Sequence, residues 1–213
     1  FLCYGARIKI RHVETGCRLH SHPHNYPEGS NQQQVTCFEG SDDNDWWLIK
    51  AEHDGEAKSG PVYNGAIIRL EHCETNRNLH SHEISSAVTG QGEVSCYGHG
   101  DANDNWRVDY DEGPNDAFRL QHVNTAGGGD GHYLHSHGLK YPDWGFDQQE
   151  VTNYAGKDDN DLWVVCEKKA AEFEFKGKFV AGYGKFVAGF ECGKYRIKTA
   201  GHKEGEQPAG WGL

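Results

Sequence analysis

Four short landmarks recur three times in the same order along this 213-residue chain, and that repetition limits the fold more than any other feature. The first is Ile8-Lys9-Ile10-Arg11-His12, which returns as Ile68-Arg69-Leu70-Glu71-His72 and as Phe118-Arg119-Leu120-Gln121-His122. Leu-His-Ser-His follows at 19–22, 79–82 and 134–137. The third is Gln34-Val35-Thr36, then Glu93-Val94-Ser95, then Glu150-Val151-Thr152. Last comes an Asn-Asp loop running into tryptophan at 44–47, 103–106 and 160–163.

Apolar and polar residues alternate with a period of two, as Ile8 and Ile10 do against Lys9 and Arg11, so each landmark reads as a short strand. Turn formers such as Glu14-Thr15-Gly16 and Pro27-Glu28-Gly29-Ser30 separate the strands, and the third copy lengthens one turn across 126–131. Four strands in three units make twelve. Propellers of four-stranded blades close with about four blades or more, and a two-residue period excludes a helical solenoid. The closed solution left is all-β: a β-trefoil in which six strands form a short barrel and six hairpin strands cap it. Ile10, Leu70 and Leu120 then meet Trp47, Trp106 and Trp163 around a pseudo-three-fold axis. This domain is expected over residues 1–166. The remainder, 167–213, contains Gly-Lys-Phe-Val-Ala-Gly twice, at 177–182 and 184–189, and reads as a partly β-hairpin extension suited to docking a protein partner or to assembly.

Charge narrows the partners. Residues 1–166 carry 26 acidic against 12 basic side chains, and residues 167–213 carry six against nine. An acidic body repels phosphate backbones, so no nucleic-acid partner is expected. No apolar run reaches the roughly 18 residues of a membrane span. The chain opens on Phe1, from which a trimmed leader is expected, and no retention tetrapeptide is read at Trp211-Gly212-Leu213. Seven cysteines without a CxxC pair allow up to three disulfides of unspecified connectivity and one free thiol.

In each Leu-His-Ser-His strand two imidazoles share a face about 6.5–7 Å apart: His20 with His22, His80 with His82, His135 with His137. Weak metal chelation, a hydrogen bond to the neighbouring Asn-Asp loop or a backbone carbonyl, and ligand contact are all open to them. A metal centre needs a third ligand and supporting contacts, and three-fold symmetry holds the pairs apart, so neither metal nor other cofactor is expected. The Asp-rich stretches 42–45, 101–105 and 158–161 read as turns, because they lack the calcium-loop spacing. His12, His72 and His122 read as satisfied core histidines. Sugars are bound by amides, carboxylates and imidazoles that meet hydroxyl groups, with an aromatic against the ring face. His22, Tyr26 and Gln34 offer that chemistry in the first copy, and His137, Tyr141 and Trp144 in the third. The alternative is that these residues only fold their loops. The second copy has His82, but 83–88 carries no aromatic, so it is expected to bind least well. Repeated Ser, His and Asp occur in triplicate, and neither GxSxG nor HExxH is present, so no enzyme is expected.

At these motifs the sequence resembles the MIR family, which takes its name from mannosyltransferases and from inositol trisphosphate and ryanodine receptors. Tyr26-Pro27-Glu28-Gly29-Ser30 with Gln32-Gln33-Gln34-Val35-Thr36, and 144–152, are similar to the lumenal MIR domain of protein O-mannosyltransferases. Arg77-Asn78-Leu79-His80-Ser81-His82 is similar to the stromal cell-derived factor 2 group. The resemblance covers roughly 5–166 and implies a β-trefoil in a secreted or endoplasmic-reticulum protein. The membrane spans and catalytic loops of the transferases have no counterpart in this sequence. The functions this leaves are a non-catalytic module recognising glycans or glycosylated polypeptide, a structural or chaperone-associated interaction module, or a fragment of a mannosyltransferase.

Overall fold

The computed structural model describes residues 2–112, 116–125 and 131–170. Its first lobe holds β1 (Cys3–Tyr4), β2 (Arg7–His12), β3 (Arg18–Asn25), β4 (Gln33–Phe38) and β5 (Trp47–Ala51). The second holds β6 (Gly60–Pro61), β7 (Ile67–His72), β8 (Arg77–Ser85), β9 (Gly92–Tyr97) and β10 (Trp106–Tyr110). The third holds β11 (Phe118–His122), β12 (His132–Lys140), β13 (Gln149–Ala155) and β14 (Trp163–Lys169). β1 and β6 pair only with each other.

The other strands close as the repeat predicts. β2, β5, β7, β10, β11 and β14 pair in sequence, and β14 returns to β2, which completes a six-stranded barrel. Each lobe folds its middle strands into a hairpin: β3–β4, β8–β9 and β12–β13. The hairpins join one another through β4–β9, β9–β13 and β13–β4, capping one end of the barrel. β14 continues past residue 166 and pairs Lys169 with Arg7. The lengthened turn at 126–130 and the extension from 171 onward lie outside the described residues.

The core is the set of landmark apolar residues. Ile10, Leu70 and Leu120, with Leu19, Leu79, Leu134 and the three tryptophans Trp47, Trp106 and Trp163, are all at most 1% exposed. At about 25 cal/mol per Å², burying some 150–250 Å² of each indole contributes roughly 4–6 kcal/mol as an upper figure. Every indole also satisfies its N–H, donating to the carbonyl of Leu19, Leu79 or Leu134 at 2.9–3.0 Å. His12, His72 and His122 are buried as expected. Each directs Nε2 at the carbonyl of Asn160, Asn44 or Asn103 (2.8–2.9 Å) and Nδ1 at Thr15, Thr75 or Thr125. A carbonyl only accepts, so Nε2 carries a proton. Burial lowers the pKa of His12 and pushes those of His72 and His122 down to about 4.

The Asp-rich loops are turns. Each is a single 3-10 turn with a reciprocal cap, in which Asp42, Asp101 or Asp158 accepts the N–H of Asn44, Asn103 or Asn160. Cys17 and Cys37 form a disulfide across the first hairpin, while Cys73, Cys96 and Cys166 are free thiols.

Candidate functional site

The Leu-His-Ser-His motif divides its two imidazoles by role. His20, His80 and His135 are 2–4% exposed, and each donates Nδ1–H to the carboxylate that closes the neighbouring turn: Asp45 at 2.8 Å, Asp104 at 2.9 Å and Asp161 at 2.9 Å. They are supports. A bulge follows in every hairpin, between Ser21 and Asn25, Ser81 and Ser85, and Ser136 and Lys140. The second histidine of each pair sits at the start of this irregular stretch, where a bulge re-aims side chains. His22 directs Nε2 at Gln34 Oε1 (3.1 Å), and His137 directs Nε2 at Glu150 Oε2 (3.0 Å). His82 Nε2 is buried and has no partner. Burial lowers the pKa of His22 and His82.

Two residues expected on a ligand face are seated in the interior. Tyr26 and Tyr141 are 4% and 1% exposed, and their hydroxyls meet at 3.1 Å. Tyr26 also bonds the carbonyls of Val35 and Val94, and Tyr141 that of Val151, so both phenols are spent where the three hairpins converge. Ser86 holds the matching place in the second lobe: the N–H of Tyr26, Ser86 and Tyr141 bonds Gln32, Gln91 and Gln148 respectively. Trp144 is half-buried, with its ring 5.0 Å from Tyr141 and 6.0 Å from Tyr26, and lines a cup of about 240 Å³ with Pro27, Val88 and Glu93.

Around this point the loops lock together by a donor–acceptor rule. Glu93 accepts from the hydroxyl and N–H of Ser30, and Glu150 from the hydroxyl of Ser86 and the N–H of Thr89. At the third equivalent position the incoming group is the carbonyl of Trp144, and there the residue is Gln34, whose amide donates to it at 3.2 Å. Carboxylate meets donors and amide meets a carbonyl.

These repeated contacts belong to a known domain. The family model for the MIR domain matches residues 19–166. The chain belongs to the MIR family. A stromal cell-derived factor 2-like protein of Arabidopsis thaliana is 40% identical over 177 residues, covering 78% of each chain. Its relationship extends to structure: the crystal structure of the Arabidopsis protein superposes with a TM-score of 0.73 at 38% identity, over 79% of this chain and 96% of that one. A dolichyl-phosphate-mannose–protein mannosyltransferase of Candida albicans is 42% identical over 173 residues, which is 70% of this chain but 19% of that protein. The Saccharomyces cerevisiae protein O-mannosyltransferase complex bound to the sugar donor matches with a TM-score of 0.70 over 79% of this chain and 25% of that one. A designed three-fold symmetric protein at 18% identity and TM-score 0.52 shares the fold.

The three MIR lobes bring together His20, Asp42 and Asp45, and likewise His80, Asp101, Asp104 and His135, Asp158, Asp161, with ligand-type atoms within 4.8 Å of one another. Those atoms already have work. Asp45 Oδ2 accepts the N–H of Asp42 and lies 3.6 Å from Lys9 Nζ, and the other two clusters repeat the cap. They are turn caps that hold an imidazole.

The lobes differ most at their outer edges. Beside His22 and His24 stands Phe146, half exposed, held at φ +59° and 4.8–5.0 Å from both rings. The second lobe, expected to bind least well, borders with the third a groove of about 460 Å³ whose lining includes His82, Ile84, Gly92, Thr125, His132 and Asn153. Of these only His82 was a sequence candidate. The signal for the rest lies in aligning the copies, where Gln33, Gly92 and Gln149 share one position and Cys37, Cys96 and Asn153 another.

Proposed function

We propose that this MIR trefoil is a non-catalytic module that recognises glycans or glycosylated polypeptide in the secretory pathway or outside the cell. The observation that carries it is the second histidine of each pair, whose ring packs against an imidazole held by a buried aspartate. Such pre-oriented imidazoles, with amides and carboxylates beside them, exchange hydrogen bonds with hydroxyl groups at little ordering cost. Three lobes add multivalency. Phe146 supports the same chemistry in supplying an open aromatic face next to His22 and His24. The Cys17–Cys37 disulfide fits an oxidising compartment. The threefold repetition of the Ser, His and Asp in the landmarks argues for binding over a single catalytic centre. The test is an array of mannose-terminated glycans probed with folded protein. Retention on a subset, lost on competition with free mannoside, is the expected result; uniform silence contradicts the reading.

A second reading, a protein-docking module of the stromal cell-derived factor 2 type, is favoured by the 78% of the Arabidopsis relative that this chain spans. A partner that co-purifies in fixed ratio and survives glycosidase treatment would select it. The mannosyltransferase matches cover about a fifth of the Candida protein, so this chain also fits as the MIR portion of a longer transferase. The full gene decides that.

A further inference from the structure

The three junctions between lobes are built alike, with one exception. The first residue of the third strand in each lobe faces the next lobe: Gln33 lies opposite Cys96, Gly92 opposite Asn153, and Gln149 opposite Cys37. At the first junction Gln33, 1% exposed, donates Nε2–H to Thr75 Oγ1 at 2.9 Å and to Ser21 Oγ at 2.7 Å, and fills the space between lobes. Gln149 is likewise buried at the junction of the third and first lobes.

At the second junction there is no side chain to do this. A Cβ on residue 92 would stand 2.9 Å from the carbonyl oxygen of Asn153 and 3.1 Å from its Cβ. Asn153 reaches across from the other strand and takes over the threonine contact, donating Nδ2–H to Thr125 Oγ1 at 3.1 Å, as Gln33 does to Thr75. That exchange leaves Asn153 Oδ1 without a partner although the residue is 2% exposed. His82 Nε2, also buried and unpartnered, borders the same groove. Buried polar groups are nearly always paired, so two orphans bordering one open groove mark a place where something else completes the bonds.

We propose that the groove between the second and third lobes is a sugar subsite of this protein. One ligand hydroxyl donates to Asn153 Oδ1, and a second on the same ring bonds His82 Nε2. The inference rests on the glycan reading above and names its site. Among the described residues the groove is lined by polar groups, two imidazoles and Ile84, with no Phe, Tyr or Trp, so the sugar is held by its hydroxyl edge.

The test is amide chemical-shift mapping on the full-length 15N-labelled chain, titrated with methyl α-D-mannopyranoside and with α-1,2-mannobiose. Shifts should concentrate on the Gly92 amide, the Asn153 side-chain NH2 and the amides of Asn124 and Thr125. Asn153→Leu keeps the size and removes the acceptor, and should weaken binding about tenfold or more. The double variant Gly92→Gln, Asn153→Cys writes the residues of the first junction into the second at the cost of a small shift of the strand at 153, and should abolish the shifts, with amide dispersion reporting that the fold is kept. Shifts clustered around His22 or His137, with Gly92 and Asn153 silent, overturn the subsite and leave the glycan reading standing. No shifts anywhere overturn both.

Discussion

A single proton decides what the core histidines contribute. His12, His72 and His122 each give Nε2–H to an asparagine carbonyl, and burial favours the neutral ring, which leaves Nδ1 to accept from the neighbouring threonine. With the folded pKa of His72 and His122 near 4, below the 6.5 of an unperturbed histidine, the unfolded chain binds the extra protons first. Their stabilisation is therefore complete above pH 6.5 and is lost as pH falls through about 4, on the order of 3 kcal/mol for each ring. Melting temperature measured between pH 7 and pH 4 should fall steadily. His72→Gln, which keeps a donor for Asn44 and cannot titrate, should flatten that slope. The Gln34, Glu93 and Glu150 positions make a second prediction. Gln34→Glu would set a carboxylate against the carbonyls of Asn25 and Trp144, where the amide now donates, at a cost of roughly 2–3 kcal/mol in urea unfolding. Glu150→Gln, which still accepts one bond, should cost less.

At the scale of elements, the turns carry more than their length suggests. Asp101 accepts backbone N–H groups of its own turn, while Asp104, fully buried, accepts both the N–H of Asp101 and the Nδ1–H of His80. Asp101→Ala should cost about 1 kcal/mol, as for an ordinary cap. Asp104→Ala should cost about 2–4 kcal/mol, because it also orphans an imidazole and a buried N–H; equilibrium denaturation of the two variants checks the order. The strands and these turns were legible in the sequence, since a period-two pattern and Asx chemistry are local. So were the buried His12, His72 and His122, whose apolar neighbours declare their face. What was not legible depended on contacts between lobes. Tyr26 and Tyr141 carry lectin-like chemistry but lie where three hairpins meet, and only the closed barrel brings them together. The bulge that separates His20 from His22 in role leaves no trace in the alternation. The groove between the second and third lobes is invisible to the alternation as well, because it lies where residues of two copies meet beside Gly92.

The whole molecule is a near-symmetric scaffold carrying local departures from symmetry. Each copy repeats one tryptophan anchor, one Asp–His support and one capped turn, which fixes three equivalent lobes on a closed barrel. Function is then free to vary at the edges without loss of the core: Phe146 stands beside the histidines of the first lobe, Glu150 bonds His137 in the third, and His82 Nε2 in the second has no partner. The most direct measurement is a crystal structure of the full chain grown with saturating α-1,2-mannobiose. A mannose ring between the second and third lobes, with a hydroxyl at hydrogen-bond distance from Asn153 Oδ1, is the predicted result. Sugar at another lobe alone, or solvent alone in this groove, would contradict it.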